Sequence, residues 1–218
     1  MSKDATRWGA RRTLRAVAMA MAAGALPSAR LVARAVGGVA IESVGDGKPG
    51  AANVRRTLGL GPGLAVAGMD IAKGYLPAAL ARRRGAGPHA VGALAMAPVA
   101  GHIVFTGGRG AASSLGAALA LDASAMTVAG TVIAAGTIGK RHAPAVLVGG
   151  VSYVPAALFL HRRPVAALYG GALLAVLVLM RLRGPGWSAV PLTRESLWQR
   201  LWNDREPGAV PQGGGSCA

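Results

Sequence analysis

Cysteine is nearly absent. Cys217, the only one, stands in the tail, so no intramolecular disulfide and no cysteine-based metal cage can form. Aromatic residues make up only 4% of the 218 positions, too few for the usual core of a soluble domain of this size. Acidic residues are scarce as well, with 8 Asp and Glu against 24 Lys and Arg and a net charge of +16. Such a balance suggests nucleic acid as a partner. Here, however, the cations fall in short clusters between apolar runs rather than on one polar face, which argues against it and for anchoring at a lipid interface. What the chain does have is 33 glycines, many alanines, 52% hydrophobic residues and a mean hydropathy of +0.42. Small residues at that density suit membrane helices, whose backbones approach closely. The expected fold class is all-α: a polytopic membrane protein with about seven transmembrane helices, one of them short or broken.

The apolar runs follow in order. Residues 1–15 form a basic N-terminal arm. Residues 16–26 are apolar, and two readings stand for them: a secretory signal preceded by the twin-arginine-like Arg11-Arg12, or a helix continuing through Pro27 to Val36 with Arg30 and Arg34 snorkelling near its polar end. Further spans are expected at Leu60–Ala81, Ala90–Phe105, Leu115–Leu121 and Ala123–Ile138 with a break at Asp122, then Ala143–Leu160 and Val165–Met180. A membrane domain therefore covers residues 16–183. Residues 184–218 make a C-terminal segment: a short interfacial helix carrying Leu197, Trp198, Leu201 and Trp202 on one face and arginines on the other, then a Gly/Pro-rich tail from Pro207 to Ala218.

Two polar loops carry the chemistry. Gly45-Asp-Gly-Lys-Pro-Gly-Ala-Ala-Asn-Val-Arg-Arg56 sets the bare backbone of Gly45, Gly47 and Gly50 beside Lys48, Arg55 and Arg56, with the amide of Asn53 adding donors and an acceptor. Exposed N–H groups and fixed cations are what a phosphate needs. The plain alternative is a solvated loop whose arginines mark the membrane surface. Thr106-Gly-Gly-Arg-Gly-Ala repeats the pattern with Gly107, Gly108, Arg109 and Gly110. Between the loops, Asp70 and Lys73 lie three apart on one helical face inside an apolar span. They either neutralise each other or line a polar cavity. His102 ends the next span, where a lone histidine is commonly a satisfied polar group. Seven spans put both loops and the Lys140-Arg141 turn on the same side, although the charges alone do not settle which side of the membrane that is.

Taken together, these pieces resemble the bacterial glycerol-3-phosphate acyltransferases that use acyl phosphate. Gly24-Ala-Leu-Pro-Ser-Ala-Arg-Leu-Val-Ala-Arg34 is similar to the family's G-S-I-P-x-x-x-L-x-A-R, the first loop to its G-S-G-N-x-G-A-T-N-x-x-R, and Asp70-Ile-Ala-Lys-Gly74 to its D-x-x-K-G. Gly101-His102 and Gly107–Ala112 resemble its G-H and G-G-K-G-V-A pieces, and the frame agrees from about residue 17 to 182. The resemblance implies a seven-helix bacterial inner-membrane enzyme with cytoplasmic loops. Such an enzyme passes a fatty acyl group from acyl phosphate to the 1-hydroxyl of glycerol 3-phosphate, giving lysophosphatidic acid and phosphate without a cofactor or metal. It implies catalytic roles for Asn53, Arg56, Lys73 and Arg109. Gly45, Gly47, Lys48, Gly50, Gly107, Gly108 and Gly110 would bind substrate phosphate, and Asp46, Asp70 and His102 would support them.

The chain also departs from the pattern. Asp46 replaces the family serine, Lys48 the asparagine, Ala52 the threonine and Arg109 the lysine. The segment from His102 to Gly107 is shorter. Ala145 stands where a serine is expected, and of the C-terminal polar motif only Arg181-Leu182 and Gly184 remain. Two alternatives follow: a catalytically impaired relative that binds phosphorylated lipid or regulates a partner, and a small anion transporter built around the break at Asp122.

Overall fold

The computed structural model describes residues 8–139, 141–183 and 193–202. The N-terminal seven residues, Lys140, Gly184 and the expected disordered tail lie outside the described residues. Among the described residues ten α-helices follow in order: α1 (Ala10–Gly24), α2 (Ser28–Gly37), α3 (Ala51–Leu58), α4 (Leu60–Arg83), α5 (Pro88–Thr106), α6 (Ala111–Leu121), α7 (Ala123–Ile138), α8 (His142–Pro155), α9 (Pro164–Leu182) and α10 (Arg194–Trp202). Five helical stretches are long and apolar enough to cross a membrane, counting α1 with α2 as one, and α6 and α7 are shorter apolar helices. The spans expected from the apolar runs are all present, each within a few residues of its expected ends. α4 at 24 residues is about 36 Å long, enough for a hydrocarbon core of about 30 Å.

The breaks have local causes. Pro27 cannot donate a helical hydrogen bond, so α1 bends into α2 there rather than running straight to Val36. α1 begins at Ala10, so Arg11, Arg12 and Arg15 of the expected arm already lie on helix. At Asp122 the backbone is extended (φ −152°, ψ 102°), and the carboxylate accepts from the N–H groups of Ser124 and Ala125 at 3.0 and 3.1 Å. It thereby satisfies two of the first N–H groups of α7 and starts a new helix inside an apolar stretch. α8 widens into a π-helical turn, Ala156–Leu160, after Pro155.

Glycine sets the packing. A Cβ on Gly74 of α4 would lie 2.0 Å from the Ser113 carbonyl oxygen, and one on Gly116 of α6 would lie 2.0 Å from that of Ile71. The two backbones therefore touch at reciprocal glycines. α1 and α5 meet the same way through Gly24 and Gly101. The main core gathers small residues such as Ala78, Ala95, Ala117, Ala125 and Ala157 around Leu94, Val99 and Tyr153. This is how a chain so poor in aromatics packs tightly: close backbone approach replaces large side chains.

α10 departs from expectation on one face. Trp198 and Trp202 stack, with ring centroids 4.6 Å apart, and both are exposed. Arg200 does not point outward with them. It is buried, and its Nη1 donates to the Leu182 carbonyl at 2.8 Å, while Arg181 reaches back to the Ala143 and Leu201 carbonyls at 2.9 and 2.8 Å. The unpaired carbonyls at the end of α9 draw a cation inward.

Candidate functional site

The start of α2, the middle of α4, the end of α5 and the start of α6 come together around Ser28, Asp70, His102 and Ser113, with the glycine-rich loops beside them. The first loop is shaped from within. Gly45 and Gly47 adopt φ of 64° and 70°, a region that other L-residues rarely adopt. Asn53 is 1% exposed and fully engaged. Its Oδ1 accepts from the Asp46 N–H at 3.1 Å, and its Nδ2 donates to the carbonyls of Ile41 (3.1 Å) and Val44 (3.0 Å). The expected phosphate ligand thus organises the loop backbone. Asp46 lies beside Arg56 and forms an ion pair with it through Oδ2, while its Oδ1 accepts from the Lys48 N–H at 3.2 Å. Arg56 remains 43% exposed, so part of its guanidinium fork still faces outward.

Asp70 and Lys73 are buried and lie in contact, as their spacing predicted. Lys73 Nζ donates to the Leu26 carbonyl (2.6 Å), Ser28 Oγ (2.8 Å) and Asp70 Oδ1 (2.8 Å). All three ammonium protons are accounted for. Ser28, 1% exposed, donates in turn to Asp70 Oδ1. Ser28 has no role in the reading of the sequence, where its only signal is a serine directly after the proline that breaks the first helix. His102 Nδ1 lies 3.8 Å from Asp70 Oδ1 and is buried with no hydrogen-bond partner among the described residues.

His102 also shapes the second loop. A Cβ on Gly108 would sit 2.2 Å from His102 Nε2, so only glycine passes over the imidazole. Thr106 Oγ1 accepts from the Gly108 N–H at 3.1 Å and donates to the His102 carbonyl at 2.6 Å. Gly107 and Gly110 take φ of 73° and 71°. Gly110 precedes α6, whose first turn has no side-chain cap. Uncapped N–H groups at a helix start favour an anion. Arg109 is half-buried between these glycines.

A tightly closed depression joins the parts: Ser28, Arg30 and Pro49 line it from the N-terminal side, His102 and Thr106 from α5. Arg30 holds two sides of the site, donating to Glu42 and, at 3.4 Å, to the Thr106 carbonyl. The Arg30 hydrogen bond holds the Glu42 carboxyl below its ordinary pKa of 4.5. Beside the second loop, a half-open cleft with room of about 50 Å³ lies between α6, α7, α8 and α9, lined among others by Ala111, Leu177, Met126, Tyr153 and Gly170. Its walls are almost wholly apolar. The second glycine-rich loop therefore leads into α6, one wall of the apolar cleft.

Residues 14–185 match the family described as Glycerol-3-phosphate acyltransferase. Glycerol-3-phosphate acyltransferase 1 of Deinococcus radiodurans is 44% identical over 104 residues, which cover 45% of this chain and 52% of that protein. The chain thus spans about half the length of the first curated relatives it matches. Glycerol-3-phosphate acyltransferase of Anaeromyxobacter dehalogenans is 35% identical over 185 residues, covering 77% of this chain and 88% of that protein. The crystal structures of PlsY (YgiH), an integral membrane glycerol 3-phosphate acyltransferase, superpose with a TM-score of 0.70. The glycerol 3-phosphate form is 28% identical and covers 78% of this chain and 88% of that one; the lysophosphatidic acid form is 25% identical and covers 87% and 91%. With its glycine loops, its D-x-x-K-G helix and its integral-membrane frame all in register, this chain belongs to the glycerol-3-phosphate acyltransferase family.

Proposed function

We propose that this protein transfers a fatty acyl group from acyl phosphate to the 1-hydroxyl of glycerol 3-phosphate, at the cytoplasmic face of a bacterial inner membrane. The observation that carries this reading is that the two cation-bearing glycine loops lie together beside His102 and Thr106, and the second leads into α6, one wall of an apolar cleft. Two anionic head groups and one acyl chain are the three things this reaction must hold. The hydroxyl oxygen attacks the acyl carbonyl carbon, the bond from that carbon to the phosphate oxygen breaks, and the hydroxyl proton ends on the departing phosphate. The donor is already activated, so alignment and charge stabilisation supply the catalysis.

Arg56 binds the phosphate of glycerol 3-phosphate with the donors that Asp46 leaves open. Arg109 and the N–H groups of Gly107, Gly108 and Gly110 receive the donor phosphate, and a fork replaces the family lysine's point charge. Asn53, Lys73 and Asp70 act by position: the first holds the loop, and the pair holds Ser28 and the α1–α2 bend.

The Asp46–Arg56 pair also supports a second reading, a relative that binds phosphorylated lipid with little turnover, because it sets a carboxylate in the phosphate loop. Purified protein in detergent is given decanoyl or palmitoyl phosphate with and without glycerol 3-phosphate. Phosphate release that depends on glycerol 3-phosphate and yields lysophosphatidic acid supports acyl transfer. Binding of glycerol 3-phosphate without release supports the second reading. A transporter would instead need a gradient across sealed vesicles.

A further inference from the structure

α10 begins beyond residues 14–185, which match the family, yet it is built firmly onto the bundle. Thr193 Oγ1 accepts from the Ser196 N–H at 3.1 Å, and Ser196 Oγ accepts from the Thr193 N–H at 2.9 Å, a reciprocal cap that starts the helix. Its far end is latched twice. Arg200 donates to the carbonyl of Leu182, which ends α9, and Arg181 of α9 donates to the carbonyl of Leu201 on α10. Arg181 also holds the Ala143 carbonyl near the start of α8, so α10 meets the ends of two helices long enough to span a membrane. Leu201 packs on the cluster of Val146, Leu147 and Leu177, and so does Ala111, the first residue of α6. α10 therefore lies at the same end of the bundle as the second glycine-rich loop.

This attachment buries Ser196 and Arg200 and turns the opposite face outward. Arg194, Trp198 and Trp202 follow at intervals of four and form one exposed stripe. Trp198 is 59% and Trp202 36% exposed, and their rings stack on each other rather than on the bundle. Leu179, 45% exposed, carries the lipid-facing surface of α9 to within one turn of the Leu182 carbonyl that Arg200 holds. Arg141 and Arg183 are exposed at the same end.

We propose that α10 is a membrane-surface helix whose Trp198–Trp202 pair inserts into the phospholipid headgroup layer on the side of the second glycine-rich loop. The occupant is that layer because the pair stands where the lipid-facing surface of α9 ends. An indole has an apolar body and one N–H donor, which suits the zone of lipid carbonyls, and the arginines beside the pair suit lipid phosphates. Seated there, α10 holds the start of α6, through the cluster that Leu201 shares with Ala111, close to the depth of the headgroups. Neither contact requires acyl transfer.

The test is tryptophan fluorescence of the full-length protein in vesicles of phosphatidylcholine brominated near either the carbonyl end or the methyl end of its acyl chains. Trp8→Phe with Trp187→Phe leaves Trp198 and Trp202 as the fluorophores. Bromine near the carbonyl end should quench about twofold more than bromine near the methyl end, because the rings sit at the interface. Aqueous iodide should quench the pair less than it quenches free tryptophan. The fluorescence lost on Trp198→Phe with Trp202→Phe in the otherwise unchanged protein should carry the same depth profile, a second measurement that stands whether or not the first variant folds. Quenching by the deep bromines equal to or above that by the shallow ones would overturn the proposal. So would a pair quenched by iodide as fully as free tryptophan and untouched by brominated lipid. Protection from both quenchers, as from a second copy of the chain covering the pair, would overturn it as well.

Discussion

Replacing Lys73 with Met tests the reasoning about the buried cluster most directly. The substitution keeps the length of the side chain and deletes the charge. It removes three hydrogen bonds, to the Leu26 carbonyl, Ser28 and Asp70, and leaves the Asp70 carboxylate at 3% side-chain exposure with the Ser28 hydroxyl and, 3.8 Å away, the His102 imidazole. Breaking a buried pair in this one-sided way costs about 3–5 kcal/mol, because the remaining charge has no counter-ion. For a chain of this size, that lowers the unfolding midpoint by roughly 6–20 °C. The assay is thermal unfolding in detergent, followed by a probe of tertiary structure. Removing both charges, as Asp70→Leu with Lys73→Met, should recover more than half of the loss, since apolar groups of similar volume need no partner there. Lys73→Met within 2 °C of the parent would refute the buried pair, as would a double variant no more stable than the single one. The double variant should still lose acyl transfer, because Ser28 and the bend at Pro27 are no longer held to α4.

Arg56→Ala should remove most glycerol 3-phosphate-dependent turnover with the fold intact, and Asp46→Ser should lower the KM for glycerol 3-phosphate by roughly two- to tenfold, the range for releasing a partly exposed ion pair and its repulsion. Steady-state kinetics over glycerol 3-phosphate decide both, and wild-type turnover in Arg56→Ala would show that the phosphate is held elsewhere. Gly116→Val should abolish folded protein in size-exclusion chromatography, since its Cβ would lie 2.0 Å from the Ile71 carbonyl oxygen, whereas Gly68→Ala, which meets open space, should be neutral. Glu42 has a depressed pKa, so its contribution to stability is present above its ordinary pKa of 4.5 and is lost as pH falls through the lower folded value. Glu42→Gln should therefore be less stable than the parent by up to about 1 kcal/mol near neutrality, the pair being 39% exposed, with the gap closing in strong acid; a gap that widens on acidification would contradict the sign.

The helical membrane frame was legible in the residues themselves. Hydropathy is local and nearly additive, so long apolar runs announce Leu60–Arg83 or Pro164–Leu182 without reference to any neighbour. The extended backbone at Asp122 and the bend at Pro27 follow from one residue each. The loops were legible as well, because glycine and cation density is a property of a short stretch. What each polar side chain does was not. Asn53 meets carbonyls 9 and 12 residues away, Lys73 reaches acceptors 45 and 47 residues away, and Arg200 turns to a carbonyl 18 residues back. A buried donor takes whatever acceptor the packing brings near, and composition says nothing about that choice. Ser28 joined the site, and the Tyr153 hydroxyl found the Ala118 carbonyl 35 residues back, only when helices far apart in the chain packed together.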